Sequence, residues 1–225
     1  IDKATPAATP AELDEALAKA QDILLSYGVT GVGSMSTSLG DWQAMRRAGD
    51  ADRLQVRLMV YADELKLLGE VPHPTDWLYG DRLRMVGIKF YADGALGSRG
   101  AWLKQPYADK PDTHGLQFHS DAEMLSLADR AASAGFQIAT HAIGDRAIDQ
   151  VLDVYEGLGP HPRGLAHRIE HFGLPDAGQL RRAARLQVIA APQTIFIKEL
   201  GRNFRSYLPE SFLPRTYPVR AMLDA

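Results

Sequence analysis

Apolar and polar positions alternate along this chain in two rhythms, one of helices and one of strands. In "TPAELDEALAKAQDILLSYG" Thr9 can cap, Pro10 sits where a first-turn proline is tolerated, and Glu12 completes a capping box. A helix ending at Gly28 is predicted. Short apolar "VTGVGSMS" gives a strand over Val29–Val32, "DWQAMRRAGD" a helix, and the β-branched alternation of "LQVRLMVYAD" a strand over Val56–Tyr61. The alternation continues. "RLRMVGIKFYADG" predicts a strand over Met85–Phe90, "SDAEMLSLADRAASAG" a helix with a second capping box (Ser120, Glu123), and "FQIATHAIGD" a strand over Gln137–His141. Then follow helix "RAIDQVLDVYEGLG", a strand over Arg168–His171 in "LAHRIEHFG", helix "DAGQLRRAARL" and a strand over Val188–Ala191 in "QVIAAPQTIF", with the proline-rich "YLPESFLPRTYP" as a loop running into a last helix.

Six strands separated by helices at this spacing produce βαβ units and a parallel sheet. The fold class is α/β. An open doubly wound sheet and a (β/α)8 barrel both fit that order of elements. Nucleotide-binding loops are absent, because "GVGSMS" lacks GxGxxG and "GALGSRG" lacks the Lys-Ser/Thr of a P-loop.

Composition narrows the chemistry. With 225 residues, 45% hydrophobic and 24% charged, the chain reads as a globular protein with a sizeable core. A net charge of −3 and no basic run argue against nucleic acid as a partner, and no apolar stretch suggests a membrane span. Cysteine is absent, so any chemistry falls to His, Asp, Glu, Lys or Ser. The first residues, "IDKATPAATP", have neither an initiator Met nor a signal-peptide pattern. A cytoplasmic chain beginning at an internal position is the expectation.

In parallel α/β proteins, sites form at the C-terminal ends of strands, which singles out Lys89 in "GIKFYADG", His141 closing "FQIATH" and His171 closing "AHRIEH". A lone strand histidine is more often a hydrogen-bonded core residue than a ligand. Three such residues together weigh against that. "HRIEH" also matches HxxEH, the inverted zinc-peptidase signature, which needs a helix to bring His167 and His171 one turn apart. Pro162, Gly164, Gly173 and Pro175 leave little room for one, and four residues of strand at ~3.3 Å each would hold the two histidines about 13 Å apart. The strand reading is favoured.

The stretches "GIKFYADGALGSRGAWL", "THAIGDRAIDQVLDVYE", "HRIEHFGLPD" and "VIAAPQT" resemble the YtcJ-like branch of the metal-dependent amidohydrolases (Amidohydro_3), which includes enzymes like N-substituted formamide deformylase. That resemblance implies a (β/α)8 barrel with a one- or two-metal centre that hydrolyses C–N bonds in small amide, N-acyl or N-formyl substrates. It assigns Lys89 as a lysine carboxylated by CO2, with His141 and His171 as further ligands to a divalent metal, zinc first. The chemistry is coherent. A carbamate turns a repelling ammonium into an anion with two donor oxygens, and the ions would polarise a carbonyl and supply hydroxide from water.

The family's other ligands, an HxH pair and a strand-eight aspartate, have no match among the seven histidines or after "APQT". The expectation is therefore an incomplete barrel over residues 1–225, strands two to seven, that by itself holds no tight metal, leaves Lys89 largely uncarboxylated, is inactive, and self-associates as a homo-oligomer through open strand edges. A rival reading is a barrel domain that binds a small molecule without hydrolysing it. Weaker assignments are Asp145, orienting His141 or capping the next helix, and Arg99 and Gln193, contacting substrate. Glu170, pointing away from His171, is expected to pair with Arg168, and His114 and His119 to lie on surface loops.

Overall fold

A computed structural model describes residues 6–159, 164 and 166–225, so Pro162 lies outside the described residues. Six strands form one sheet in the order β1-β2-β3-β4-β5-β6. They are Gly31–Thr37, Arg57–Asp63, Leu83–Tyr91, Gln137–Ala142, Arg168–His171 and Ile189–Ala191. Sequential order without reversal belongs to a barrel-type α/β fold, whereas a doubly wound sheet reverses at its centre. The pairs β1/β2, β4/β5 and β5/β6 are parallel.

Two compact units make up the chain, residues 1–88 and 89–225. In the first, α1 (Pro10–Ser26) carries the predicted Thr9–Glu12 capping box, and α2 (Leu39–Asp50) opens on a Ser38–Asp41 box. Asp41 was expected to begin that helix and is instead its third residue. The helices are joined by Arg47, whose Nη2 lies 2.7 Å from Asp14 Oδ1. Strand β2 buries Leu58 and Val60 and exposes Arg57 and Met59, the alternation its sequence shows. Strand β1 lies later than Val29–Val32. Its small residues are extended by pairing with β2 rather than by propensity, and its register slips between Ser34 and Thr37, where Ser36 has φ 58°.

The second unit holds α3 (Asp121–Ser133), with its Ser120–Glu123 box, α4 (Asp145–Leu158), α5 (Ala177–Arg185), α6 (Ile195–Tyr207) and α7 (Val219–Asp224). Helix α4 has glycine, Gly144, at its N-cap and no side-chain cap. Its free N–H groups are met from another loop: the Trp102 carbonyl accepts from Arg146 N at 3.1 Å and from Ala147 N at 3.4 Å. That carbonyl approaches so closely that a Cβ on Gly144 would sit 2.0 Å from it. Only glycine fits.

The last strand runs over Ile189–Ala191, one residue short of the predicted Val188–Ala191, while the following Ile195 and Phe196, also read as strand, open α6. Pro192 lacks the N–H a ladder needs, and the chain turns at Thr194 into the helix. Helix α6 then packs Phe204 into a cluster with Leu96, Leu103, Tyr107, Ile143, Leu174 and Phe212. "YLPESFLPRTYP" forms a short 3-10 helix over Glu210–Arg215 before α7.

Candidate functional site

The site lies in the 89–225 unit, at the ends of β3, β4 and β5. Lys89 and Tyr91, two apart on β3, share one face by strand alternation. Lys89 is buried at 4% exposure, donates to the Phe90 carbonyl at 2.9 Å, and holds its Nζ 3.8 Å from the centre of the Tyr91 ring. The next strand brings His141, its ring 5.8 Å from Tyr91, and the strand after that His171, its ring 4.5 Å from His141. A lysine and two imidazoles thus stand in a row on consecutive strands.

Strand alternation sends the neighbours elsewhere. Thr140, beside His141, meets the Tyr155 hydroxyl at 2.8 Å, and Glu170, beside His171, pairs with Arg168 Nε at 2.8 Å, as expected. "HRIEH" is extended. His167 lies against Tyr155 and accepts from Ile138 N through Nδ1 at 3.2 Å, in surroundings none of which His171 shares. The HxxEH peptidase geometry is not present.

His171 is held neutral. Burial first, then the nearby His141, push its pKa down to about 4; the Gln193 side chain opposes them, and the Lys89 charge adds a smaller downward push. Gln193 Oε1 sits beside the ring without a well-formed bond, since it has no hydrogen-bond partner, while Nε2 donates to the Ala191 carbonyl at 2.8 Å. His171 Nδ1 is likewise buried and without a partner. The backbone there is left-handed at two successive residues, φ 71° at His171 and 45° at Phe172. Such conformations cost on the order of 1 kcal/mol each for side chains with a Cβ and collect at functional sites.

Phe196 of α6 stacks on His171 at 5.9 Å with planes 20° apart. Nothing in the sequence pointed to it, because "TIFI" reads as strand. Asp93 was also missed. It follows β3, is fully buried, and its Oδ1 lies 3.3 Å from His141 Nε2.

The weaker assignments fall differently. Asp145 is the first residue of α4, not its cap, and its carboxylate accepts from Lys104 N at 2.9 Å and pairs with Arg215 Nη2 at 2.9 Å. Those contacts tie loops together, and the carboxylate beside His141 is that of Asp93. Arg99, in a left-handed turn, pairs with Asp109 and stacks its guanidinium 3.6 Å from the Tyr207 ring. One edge and one face of its guanidinium are engaged within the protein. His114 and His119 lie in the loop before α3, His114 exposed and His119 half-buried.

The donor set suits a divalent ion in part. Two imidazoles, one held neutral and carrying a buried ring nitrogen with no partner, are what such an ion binds. Among the described residues no three of His, Cys, Asp and Glu converge on one point. Lys89 would be a third donor only as a carbamate.

A barrel-order α/β sheet with one lysine and two histidines at successive strand ends places the chain among barrel-type α/β proteins. The chain belongs to the amidohydrolase family, whose Amidohydro_3 model matches residues 1–225. It is 33% identical over 202 residues to the putative amidohydrolase YtcJ of Bacillus subtilis strain 168, covering 87% of this chain and 37% of that protein. It is 30% identical over 217 residues to the N-substituted formamide deformylase of Arthrobacter pascens, covering 89% of this chain and 38% of the relative. The crystal structure of an uncharacterized metal-dependent hydrolase from Pyrococcus horikoshii OT3 superposes with TM-score 0.87 at 29% identity, over 96% of this chain and 44% of that one. The chain thus spans less than half the length of each. No helix among the described residues is long and apolar enough to cross a membrane.

Proposed function

We propose that this chain carries part of the metal centre of a hydrolase that cleaves C–N bonds in small amide, N-acyl or N-formyl compounds. The observation that carries the reading is the pair of imidazoles, His141 and His171, 4.5 Å apart on adjacent parallel strands, with buried Lys89 on the strand before. His141 and His171 would hold a divalent ion, zinc first by ligand type, and Lys89 would join them once carboxylated. A bound ion would polarise the scissile carbonyl and make water nucleophilic near neutral pH.

The chain's own residues prepare that site. Burial keeps His171 unprotonated, so its electron pair is available throughout the neutral range. Phe196 covers one face of that ring and fixes its tilt. Gln193 keeps a buried amide oxygen with no hydrogen-bond partner, which would accept from a substrate N–H only once the side chain turns outward. Lys89 in its ammonium form rests on the Tyr91 ring, a contact that conversion to a carbamate would end.

One observation favours a second reading, a barrel domain that binds a small molecule without hydrolysing it: no three His, Cys, Asp or Glu converge among the described residues. An amide panel separates the two. The gene product that contains this chain, loaded with zinc, is assayed on N-formyl and N-acyl amides beside its His141→Ala and His171→Ala variants. Hydrolysis lost in both variants supports the proposal. Binding of panel compounds with no turnover supports the second reading.

A further inference from the structure

The reading above gives no role to Asp93, whose carboxylate is fully buried and engaged at both oxygens. Oδ2 accepts from Trp102 N at 2.9 Å and Gly144 N at 2.8 Å, and Oδ1 accepts from Ile143 N at 3.1 Å. That same Oδ1 lies 3.3 Å from His141 Nε2, and the Gly94 carbonyl lies 3.3 Å from the same nitrogen on its own account. Both neighbours of Nε2 can only accept. An electron pair on Nε2 would face two others, whereas a proton there can go to the Gly94 carbonyl and lie in the field of the Asp93 carboxylate.

We propose that Asp93 is a positioning residue that holds His141 as the Nε2–H tautomer, so that Nδ1 carries the electron pair with which the ring can bind a ligand. The carboxylate cannot swing away from this task, because three backbone N–H groups fix it. Those N–H groups belong to the loop at Trp102 and to the β4–α4 junction at Ile143 and Gly144. The orientation of His141 is therefore tied to the loop whose Trp102 carbonyl also caps α4. Partners of this kind fix which ring nitrogen a metal meets, and their loss commonly weakens metal binding 10–100-fold.

Only the metal consequence rests on the proposed function; the tautomer does not. The 225-residue chain, labelled with 15N-histidine and free of metal, is examined at pH 8 by long-range 1H–15N correlation, with the His141 signals assigned by their loss in His141→Gln. Nε2–H is expected. Nδ1–H, or an even mixture, would overturn the assignment. In Asp93→Asn the amide must turn its NH2 either toward Nε2 or toward the Trp102 and Gly144 N–H groups. His141 should shift toward Nδ1–H, and zinc affinity measured by calorimetry should fall roughly 10–100-fold. In a His141→Gln background the same substitution should change zinc affinity by less than about twofold, because the coupling runs through the ring. An equal loss in both backgrounds would make Asp93 merely structural and overturn the proposal. Should Asp93→Asn fail to fold, Asp93→Ser is read in its place by the same two measurements, since the Gly94 carbonyl alone would also favour Nε2–H in the unmodified chain. A tautomer that shifts when Asp93 is replaced, with no zinc binding at any concentration, would uphold Asp93's role and count against the metal reading.

Discussion

The rings of His141 and His171 meet edge to face, 4.5 Å between centroids and 69° between planes, at the ends of two adjacent parallel strands. Two imidazoles so close cannot comfortably both be protonated, and the repulsion is part of what pushes the His171 pKa down to about 4. The same closeness would let them share one ion, as the proposed function requires. Zinc affinity should fall at least tenfold in His141→Ala and in His171→Ala. His167→Ala, which removes the acceptor for Ile138 N, should leave zinc affinity unchanged and cost roughly 1–3 kcal/mol of stability. Calorimetry and urea unfolding read the two effects separately, and a loss of zinc affinity in His167→Ala would restore the HxxEH reading.

Stability should depend on pH through His171. Its ordinary pKa is about 6.5 in the unfolded chain and is lowered to about 4 in the fold. Between those values the unfolded state binds a proton that the folded state refuses. Stability is therefore intact above about pH 6.5, declines as pH falls, and levels off below about pH 4. The loss should be roughly 2–3 kcal/mol, solvent access to the partly exposed ring keeping it toward the lower figure. Urea midpoints from pH 8 to 4 should fall more steeply for the unmodified chain than for His171→Gln; parallel curves would refute the burial argument.

Asp145 is expected to matter for stability alone. Its carboxylate is 2% exposed and holds both Lys104 N and Arg215. Asp145→Ala leaves a cation and an amide without their partner and should destabilise by about 3–5 kcal/mol. Zinc affinity in the folded fraction should be unchanged. A selective loss of metal binding would return Asp145 to the role of orienting His141.

Gly144→Ala should be among the most damaging single-methyl additions, because its Cβ would lie 2.0 Å from the Trp102 carbonyl that caps α4. The expected loss is at least about 2 kcal/mol. Since the Gly144 N–H also binds Asp93, the His141 tautomer should become mixed in any fraction that folds. Wild-type thermal stability in this variant would show that the loop can move away freely.

What the sequence disclosed was local in origin. The Thr9–Glu12 and Ser120–Glu123 boxes are contained within four residues each, and both helices begin where those residues place them. Arg168–His171 is bounded by its glycines and prolines and is strand over the predicted residues. What stayed hidden depends on distant partners. Gly31–Thr37 is strand because β2 pairs with it, and its glycines and serines give no such signal. Asp93 takes its partners from Ile143 and Gly144, 50 and 51 residues on, mostly through backbone N–H groups that no side-chain motif records. Phe196 reaches His171 only because the chain leaves the sheet at Pro192 and turns into α6.

The central claim, that His141, His171 and Lys89 form one metal-binding nucleus, is tested most directly by anomalous scattering at the zinc edge from crystals of this chain grown with millimolar zinc and bicarbonate. The account predicts a peak about 2.0–2.1 Å from one ring nitrogen of each histidine, on the Lys89 side of the pair, with carbamate density on Lys89 wherever the ion is well occupied. A map with no zinc between the two rings, or with zinc on His167 instead, would contradict it.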